Sequence, residues 1–335
     1  MRLSSIALLG LLIGWAGGSQ GARANLPVEL KRDRNCIAVS IGGKVFGVYY
    51  FGPEAPKPYF YPLCSARGTI VTRGYPMVKD IPGESHDHPH HRALYYAHGN
   101  INGIDFWSEA RESRATQTAR GRYYATEKEL PKGRTVFKNL DEAEGGKDSG
   151  SLRAEFDLVG PDGKPIGSEI QAYRFSGDDS TRVIDCEFTT LADRRIAVKF
   201  EDTKEGTFAI RLVKALEEPT GHMLSSTGGS GEKAIWGKRA DWVDYSGDVS
   251  GEKLGIAIFD NPQNPKHPTY WHARGYGLFA VNPFGEHDFY NDKTRDGSMT
   301  IAPGGSLTFR YRVFIHEGDA AEAKVAEAYR SYAGQ

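Results

Sequence analysis

Histidines are concentrated in one short segment, because four of the ten in the chain lie between His86 and His91. Imidazoles suit metal binding, general acid/base catalysis and polar contacts with a ligand. The spacing is not that of an HExxH motif, and Pro89 excludes a zinc-binding helix of that type. We expect a loop that leads into a strand from Ala93 to His98, with an ordinary hydrogen-bonded loop as the alternative.

The spacing of these histidines limits how they act together. Adjacent residues of an extended segment point to opposite faces, so His90 and His91 are not both expected to face one site. Either His88 and His90 share a face, or His91 acts with a residue of another strand. We predict that His90 or His91 lies in one cleft with His272, as acid/base groups. No cofactor is expected; a divalent metal, if bound, would take His86, His88 and His90 as ligands.

Aromatic side chains recur beside amides, carboxylates, imidazoles or cations in four further segments: HGNINGIDFW (98–107), WGKRADWVDY (236–245), HPTYWHAR (267–274) and NPFGEHDF (282–289). Aromatic faces beside amides and carboxylates are typical of sugar binding, because CH groups stack on the ring while hydroxyls find polar partners. Each segment alone is a weak signal, and a turn with a core tryptophan explains the first equally well. Their recurrence predicts a polar, aromatic cleft assembled from distant segments.

Within this cleft, Trp107 and Trp271 are predicted to form stacking walls. Fixed cations would hold a carboxylate or a developing oxyanion, and this role falls to Arg92, Lys238 and Arg274. The predicted substrate-binding set is completed by Asn102, Asp105 and Asn282.

Residues 1–24 have the features of a secretory signal peptide: Arg2, an apolar run from Ile6 to Trp15, and the small residues of the Ala22-Arg23-Ala24 sequence. The apolar run is shorter than the roughly 20 residues that cross a bilayer. We expect cleavage before Asn25 and a secreted or periplasmic protein, with retention as an anchor as the alternative. No later segment predicts a membrane span.

The formal net charge is -1 and the lysines and arginines are scattered. This distribution argues against nucleic acid or anionic lipid as the main partner. The three cysteines, Cys36, Cys64 and Cys186, are too few for a disulfide scaffold.

Alternation of apolar and polar residues predicts strands through most of the chain. Residues 36–41 and 45–51 flank a Gly-Gly turn, and residues 152–159 and 166–175 flank the turn PDGK. Only residues 319–333 predict a helix, with Asp319 and Glu322 as a capping box and an apolar stripe of Val325, Tyr329 and Tyr332. The prediction is all-β: one large antiparallel sandwich domain over residues 25–335 with a short C-terminal helix.

Four long strings of the sequence resemble a family of secreted bacterial proteins that bears the name methane oxygenase PmoA or is described as a domain of unknown function. They are HPHHRALYYAHGNINGIDFWSE (88–109), WGKRADWVDYSG (236–247), GIAIFDNPQNPKHPTYWHARGYGLFAVNPFG (255–285) and YRVFIHEGD (311–319). The resemblance implies a sandwich akin to the galactose-mutarotase supersandwich. Sites of that fold pair imidazoles with a carboxylate for proton transfer at a sugar's oxygens, and the candidate carboxylates here are Asp105, Glu109, Glu286 and Asp288.

The leading hypothesis is a secreted carbohydrate-active enzyme, a hydrolase, lyase or epimerase, acting on a sugar or polysaccharide. One alternative is a non-catalytic glycan-binding module, which needs the aromatic and amide groups but not the histidines. Another is a metal-dependent enzyme that uses the cluster from His86 to His91. An oxygenase, as the family name states, is the remaining alternative. Metal analysis and activity on a panel of polysaccharides would separate these classes.

Overall fold

The computed structural model describes residues 24–109 and 130–334. The predicted signal peptide, apart from Ala24, lies outside the described residues. Two eight-stranded sheets and one two-stranded sheet account for the named strands of the described part, and all of their strand pairs are antiparallel.

The first sheet has the spatial order β1 (Val28–Arg32), β2 (Cys36–Ile41), β3 (Lys44–Tyr50), β4 (Tyr59–Leu63), β5 (Leu94–His98), β11 (Gly206–Arg211), β16 (Leu278–Val281) and β15 (Trp271–Ala273). The second has the order β12 (His222–Ser225), β13 (Trp242–Val249), β14 (Glu252–Asp260), β18 (Ser306–Glu317), β9 (Thr181–Leu191), β8 (Pro165–Gly177), β7 (Gly150–Val159) and β6 (Arg134–Glu144). The small sheet pairs β10 (Val198–Phe200) with β17 (Met299–Ile301). The helical elements are a 3₁₀ turn (Lys214–Leu216), α1 (Glu232–Ile235), α2 (Glu286–Phe289) and α3 (Val325–Ala333).

The two large sheets face each other across one apolar cluster that includes residues from Val28 to Ile315. Alternation along the strands puts every second side chain into this layer. Tyr96 of the first sheet stacks on Phe188 of the second at 4.2 Å between ring centroids, and Phe208 stacks on Tyr311 at 5.2 Å. The prediction of an antiparallel β-sandwich with a short C-terminal helix is therefore confirmed.

The predicted capping box forms, but the α-helix does not begin there. The Glu322 N–H donates to Asp319 Oδ1 at 2.9 Å, and the Asp319 N–H donates to Glu322 Oε2 at 3.0 Å. Lys324 then takes a left-handed conformation with φ 53°, so α3 begins at Val325 and the predicted start at 319 was wrong. The apolar stripe of α3 packs on the outer face of the second sheet, against residues such as Phe259.

All three cysteines are free thiols. Among the described residues, no helix is long and apolar enough to cross a membrane. The prediction of a single domain stays a prediction.

Candidate functional site

The central strands of the first sheet carry polar and aromatic side chains on the face turned away from the second sheet. Tyr96 and Phe208 belong to the core, so their strand neighbours Tyr95 and Arg211 lie on the opposite, outer face. On β15, likewise, His272 lies between two core residues and takes the outer side. We call this outer face, with the loops that cover it, the polar face.

The histidine segment forms a turn rather than an extended strand. His88 has a left-handed backbone with φ 43°, and the His91 N–H donates to the His88 carbonyl at 3.0 Å. The rings of His90 and His91 consequently meet edge to face, 4.4 Å between centroids, and the His88 ring lies parallel to that of His91 at 4.7 Å. The expectation that His90 and His91 point to opposite faces was wrong, because it assumed an extended backbone.

His91 is a neutral hydrogen-bond donor. Arg211 Nη1 donates to His91 Nδ1 at 3.3 Å, which leaves the ring proton on Nε2. Burial lowers the pKa of His91 well below its usual value, and the charges of His90, His88, Arg211 and Arg73 lower it further. Its Nε2 is buried and has no hydrogen-bond partner.

Two buried arginines share one carboxylate beneath the histidine turn. Asp87 Oδ1 lies 2.6 Å from Arg73 Nη1 and 3.2 Å from Arg211 Nη2, and these arginines are 1% and 0% exposed. Burial acts to raise the pKa of Asp87, but contact with His88 and the charges of both arginines hold it well below its usual range. Arg211 also lies over the ring of Tyr276 at 4.8 Å, and that ring stacks on His88 at 5.5 Å.

Trp107 forms part of the floor of the polar face rather than an open wall. It is 0% exposed and packs on Tyr95 at 5.0 Å and on His91 at 5.8 Å. Asp105 fixes this segment, because its Oδ1 accepts hydrogen bonds from the backbone N–H groups of Trp107 and Ser108 at 2.8 and 3.0 Å. The Trp107 Nε1 and Tyr95 Oη atoms are buried and have no hydrogen-bond partner.

The predicted cation Arg92 is already paired. Its guanidinium donates to both carboxylate oxygens of Glu109, at 2.5 and 2.8 Å, and lies over the Tyr59 ring at 5.2 Å. Lys57 Nζ lies 3.6 Å from the same carboxylate. Glu109 is thus held as an ion-pair partner, and its pKa is lowered by Arg92 and Lys57 against the effect of burial.

The carboxylate whose pKa is affected by both histidine segments is that of Glu205. Burial acts to raise the pKa of Glu205, but Lys204, His272 and His90 outweigh it and lower the pKa to about 2. Glu205 directly follows Lys204, whose carbonyl oxygen lies 2.7 Å from His272 Nδ1. The charges of His90 and His272, 182 positions apart in the sequence, thus act on the same carboxylate.

His272 has a defined tautomer. Its Nδ1 lies 2.7 Å from the carbonyl oxygen of Lys204, which can only accept a hydrogen bond, so Nδ1 carries the proton and Nε2 has a free lone pair. Burial lowers the pKa of His272 to about 4, although the charge of Glu205 acts to raise it. At neutral pH the pair is a neutral imidazole beside an ionised carboxylate.

Arg274, two positions after His272 in the chain, is surrounded by aromatic rings and a carboxylate. The Arg274 guanidinium lies over the rings of Trp236 and Tyr276, at 5.4 and 5.8 Å, and its Nη1 lies 3.1 Å from Glu232. The charges of Glu205 and Arg274 both act on the Tyr276 hydroxyl, whose pKa burial raises to about 12. Arg274 therefore lies beside Tyr276, and its role in substrate binding stays a prediction.

Four other predicted binding residues lie elsewhere. Trp271 is 0% exposed in the core, with Nε1 donating to the Ala240 carbonyl at 2.9 Å, and so presents no face to a ligand. Asn282 is buried, and its amide bonds backbone atoms of residues 203 and 284. Asn102 bridges to the backbone of residues 197 and 199. Lys238 is exposed, and its backbone, not its side chain, pairs with Trp271.

Within residues 24–109 and 130–334, no three His, Cys, Asp or Glu side chains are grouped so that they could hold a metal ion. The three histidines that were predicted as ligands of a possible metal do not lie together. His86 stacks on Tyr75 at 4.6 Å, whereas His88 and His90 contact His91. The candidate carboxylates Asp105 and Glu286 lie in ion pairs with Lys132 and Lys266, at 2.7 and 3.9 Å.

Sequence reasoning missed Glu205, Tyr276 and the buried arginines. Arg211 did carry a signal, since it is a charged residue within the otherwise apolar run FAIRLV, and such a charge needs a partner. Glu205 lies in an ordinary polar turn, DTKEG, without any comparable signal.

The fold and the polar face define an antiparallel β-sandwich protein with a histidine- and carboxylate-lined outer face. The chain belongs to the family of unknown function DUF6807, whose match covers residues 36–330. No curated protein matches the chain by sequence.

Several solved structures are similar. A galactose mutarotase-like protein from Clostridium acetobutylicum has 10% identity and a TM-score of 0.42, covering 88% of this chain and 99% of its own. One from Lactobacillus casei has 8% identity and a TM-score of 0.39, covering 86% and 100%. The GH36 α-galactosidase AgaA from Geobacillus stearothermophilus has 8% identity and a TM-score of 0.41, covering 88% of this chain but only 41% of its own.

Proposed function

We propose that the polar face is the active site of a carbohydrate-acting enzyme that moves a proton to and from a sugar oxygen. The observation that carries this proposal is the pair of His272 and Glu205. A neutral imidazole with its proton on Nδ1 accepts a second proton at Nε2, and a neighbouring carboxylate stabilises the imidazolium that forms. Glu205, 26% exposed, is accessible to a ligand from solvent.

The surroundings of this pair favour a sugar as the ligand. Trp236 and Tyr276 supply aromatic surface, and Arg274 adds hydrogen-bond donors beside both rings. Aromatic surface next to charged donors and acceptors suits a ligand with CH faces and many hydroxyl groups. Three buried donors without partners, on His91, Tyr95 and Trp107, indicate that a water or a ligand oxygen completes the face.

Proton transfer at one sugar centre, as in an epimerase, is the reaction that the His272–Glu205 pair supports best. Glycoside hydrolysis is the second candidate, and a specific observation favours it. Burial raises the pKa of Glu217, although Arg211 at 3.5 Å acts to lower it, whereas the pKa of Glu205 is lowered. Two carboxyl groups whose pKa values are shifted in opposite directions are the kind of pair that glycoside hydrolysis uses.

A panel of reducing sugars and polysaccharides tests both reactions. Exchange between sugar forms is followed by NMR, and release of reducing ends by a colorimetric assay. We expect His272→Ala to lower the rate by about 10²–10⁴-fold and His316→Ala, on the other sheet, to leave it unchanged at temperatures where the variant is folded. A protein that binds sugars but converts none of them, with the same affinity in His272→Ala, is a glycan-binding module instead.

We also propose that the protein is exported, with the mature chain beginning at Asn25. The support is the charged start, apolar run and small residues of the first 24 positions. Cell fractionation followed by N-terminal sequencing tests this: a cytoplasmic protein that retains Met1 would refute it, and a membrane-bound protein that retains the segment would indicate an anchor.

A further inference from the structure

We propose that Asn282 and Asp288 are positioning residues that clamp the turn from Thr203 to Glu205 in the orientation in which Glu205 meets His272. The inference rests on the proposed function of that pair. It assigns to Asn282 a role different from the substrate contact that its sequence context predicts, and it gives Asp288 a role other than catalytic base.

The peptide group that joins Thr203 to Lys204 is held at both ends. Its carbonyl oxygen accepts a hydrogen bond from Asn282 Nδ2 at 2.8 Å, and its N–H donates to Asp288 Oδ2 at 2.8 Å. The next carbonyl, that of Lys204, accepts from His272 Nδ1 at 2.7 Å. Three side chains of the segment from 272 to 288 thus hold two consecutive peptide groups directly before Glu205.

The two clamping side chains are themselves fixed. Asn282 is fully buried, and its Oδ1 accepts the N–H of Phe284 at 2.9 Å, so both halves of its amide are used. Asp288 Oδ1 lies 3.3 Å from His287 Nε2, and the other nitrogen of that imidazole lies 2.6 Å from Asp202. Each polar atom of the two side chains therefore already has a partner within the protein.

A peptide plane held at both ends cannot rotate, and this has two effects on the site. The Lys204 carbonyl remains in place as the acceptor for His272, which keeps the imidazole proton on Nδ1 and leaves Nε2 free. The start of β11 is also fixed, with the Glu205 N–H donating to Thr203 Oγ1 at 3.2 Å, and the Glu205 carboxylate lies 3.1 Å from Lys204 Nζ.

The test reads the two ring nitrogens of His272 by ¹H–¹⁵N NMR in the full ¹⁵N-labelled chain, with no sugar present. In the wild type we expect separate signals for a protonated Nδ1 and an unprotonated Nε2 at neutral pH. Asn282→Asp keeps the side-chain volume but replaces the donor by an oxygen, and Asp288→Ala removes the acceptor. In both we expect the two nitrogen signals to converge and the pKa of His272 to fall below its value of about 4, because the Lys204 carbonyl and the charge of Glu205 both act to raise it.

Two variants serve as controls. Asp288→Asn retains an oxygen that can accept the Lys204 N–H, so it should preserve the wild-type signals. Asp292→Ala disturbs only a local turn, where Asp292 Oδ1 binds Thr294, and should also preserve them. Wild-type His272 signals in folded Asn282→Asp and Asp288→Ala would overturn the clamp. If Asp288→Ala does not fold, the His272 signals of Asn282→Asp alone decide whether the clamp exists. Because the measurement contains no sugar, a negative result for the clamp would not by itself refute the proposed activity, and the reverse also holds.

Discussion

His316 and Asp244 form a buried ion-pair contact on the second sheet, with 2.8 Å between Nε2 and Oδ2 and both side chains only 1% exposed. Burial raises the pKa of Asp244, although the hydrogen bond from His316 acts to lower it. The ring lies over Gly255 of the neighbouring strand, where any Cβ atom would collide with it. This histidine is thus built into the sheet, far from the polar face of the other sheet.

We expect His316→Ala to lower the free energy of unfolding by about 3 kcal/mol or more, because it leaves a buried carboxylate without its partner. Urea denaturation measures the loss. His222→Ala, an exposed histidine of the same sheet, is the matched control and should change stability little. Equal stability of the two variants would show that the contact contributes nothing.

Glu169 makes the stability of the core depend on pH. It lies between the sheets, where Gln171 Nε2 donates to its Oε1 at 2.6 Å and the Tyr49 and Tyr173 hydroxyls donate to Gln171 Oε1. Burial raises the pKa of Glu169 from 4.5 to about 7. Between these values the folded state binds more protons than the unfolded state, so the free energy of unfolding must decrease as the pH rises.

The expected decrease from pH 4.5 to above pH 7 is at most about 3 kcal/mol from this group. Glu169→Gln, which still accepts from Gln171, should remove that decrease, whereas Glu144→Gln at the exposed end of β6 should not. Urea unfolding curves at pH 5, 6, 7 and 8 measure the effect. An identical pH profile for wild type and Glu169→Gln would contradict the assignment.

Asp87 holds the base of the polar face together. Asp87→Asn leaves Arg73 and Arg211 as buried cations without their shared carboxylate, so we expect a loss of about 3–5 kcal/mol. Thermal and urea unfolding measure it, with Asp80→Asn, an exposed residue of the same loop, as the control. Because the folded-state pKa of Asp87 is lowered, its contribution is present above its usual pKa and is lost as the pH falls below that value.

The charge of Glu205 favours the protonated form of His272. Glu205→Gln removes that charge, and the pKa of His272 should therefore fall below its value of about 4. An NMR titration of the His272 ring checks the direction, and Glu144→Gln should leave the titration unchanged. A rise in this pKa would mean that the carboxylate does not face the imidazole.

The parts of the fold that the sequence predicts are those specified by residues close together in the chain. The alternation of residues 152–159 and 166–175 around PDGK is local, and these runs form β7 and β8 at nearly the predicted bounds. The stripe of Val325, Tyr329 and Tyr332 is also local, and it packs as predicted. The start of α3 was missed because the left-handed residue, Lys324, has no compositional signal.

The sequence by itself determined the sandwich, the C-terminal helix and the presence of a histidine-rich polar region, because each depends on short-range patterns. Only the tertiary structure decided which side chains meet. Trp271 and His272 are neighbours predicted to share a site, yet on β15 they point to opposite faces, so that Trp271 enters the core and His272 contacts the Lys204 carbonyl. The partners of His272 depend on the pairing of β15 and β16 with β11, which lies about 60 residues earlier in the chain. The pairing register of strands that are distant in the chain cannot be predicted from the local pattern of residues.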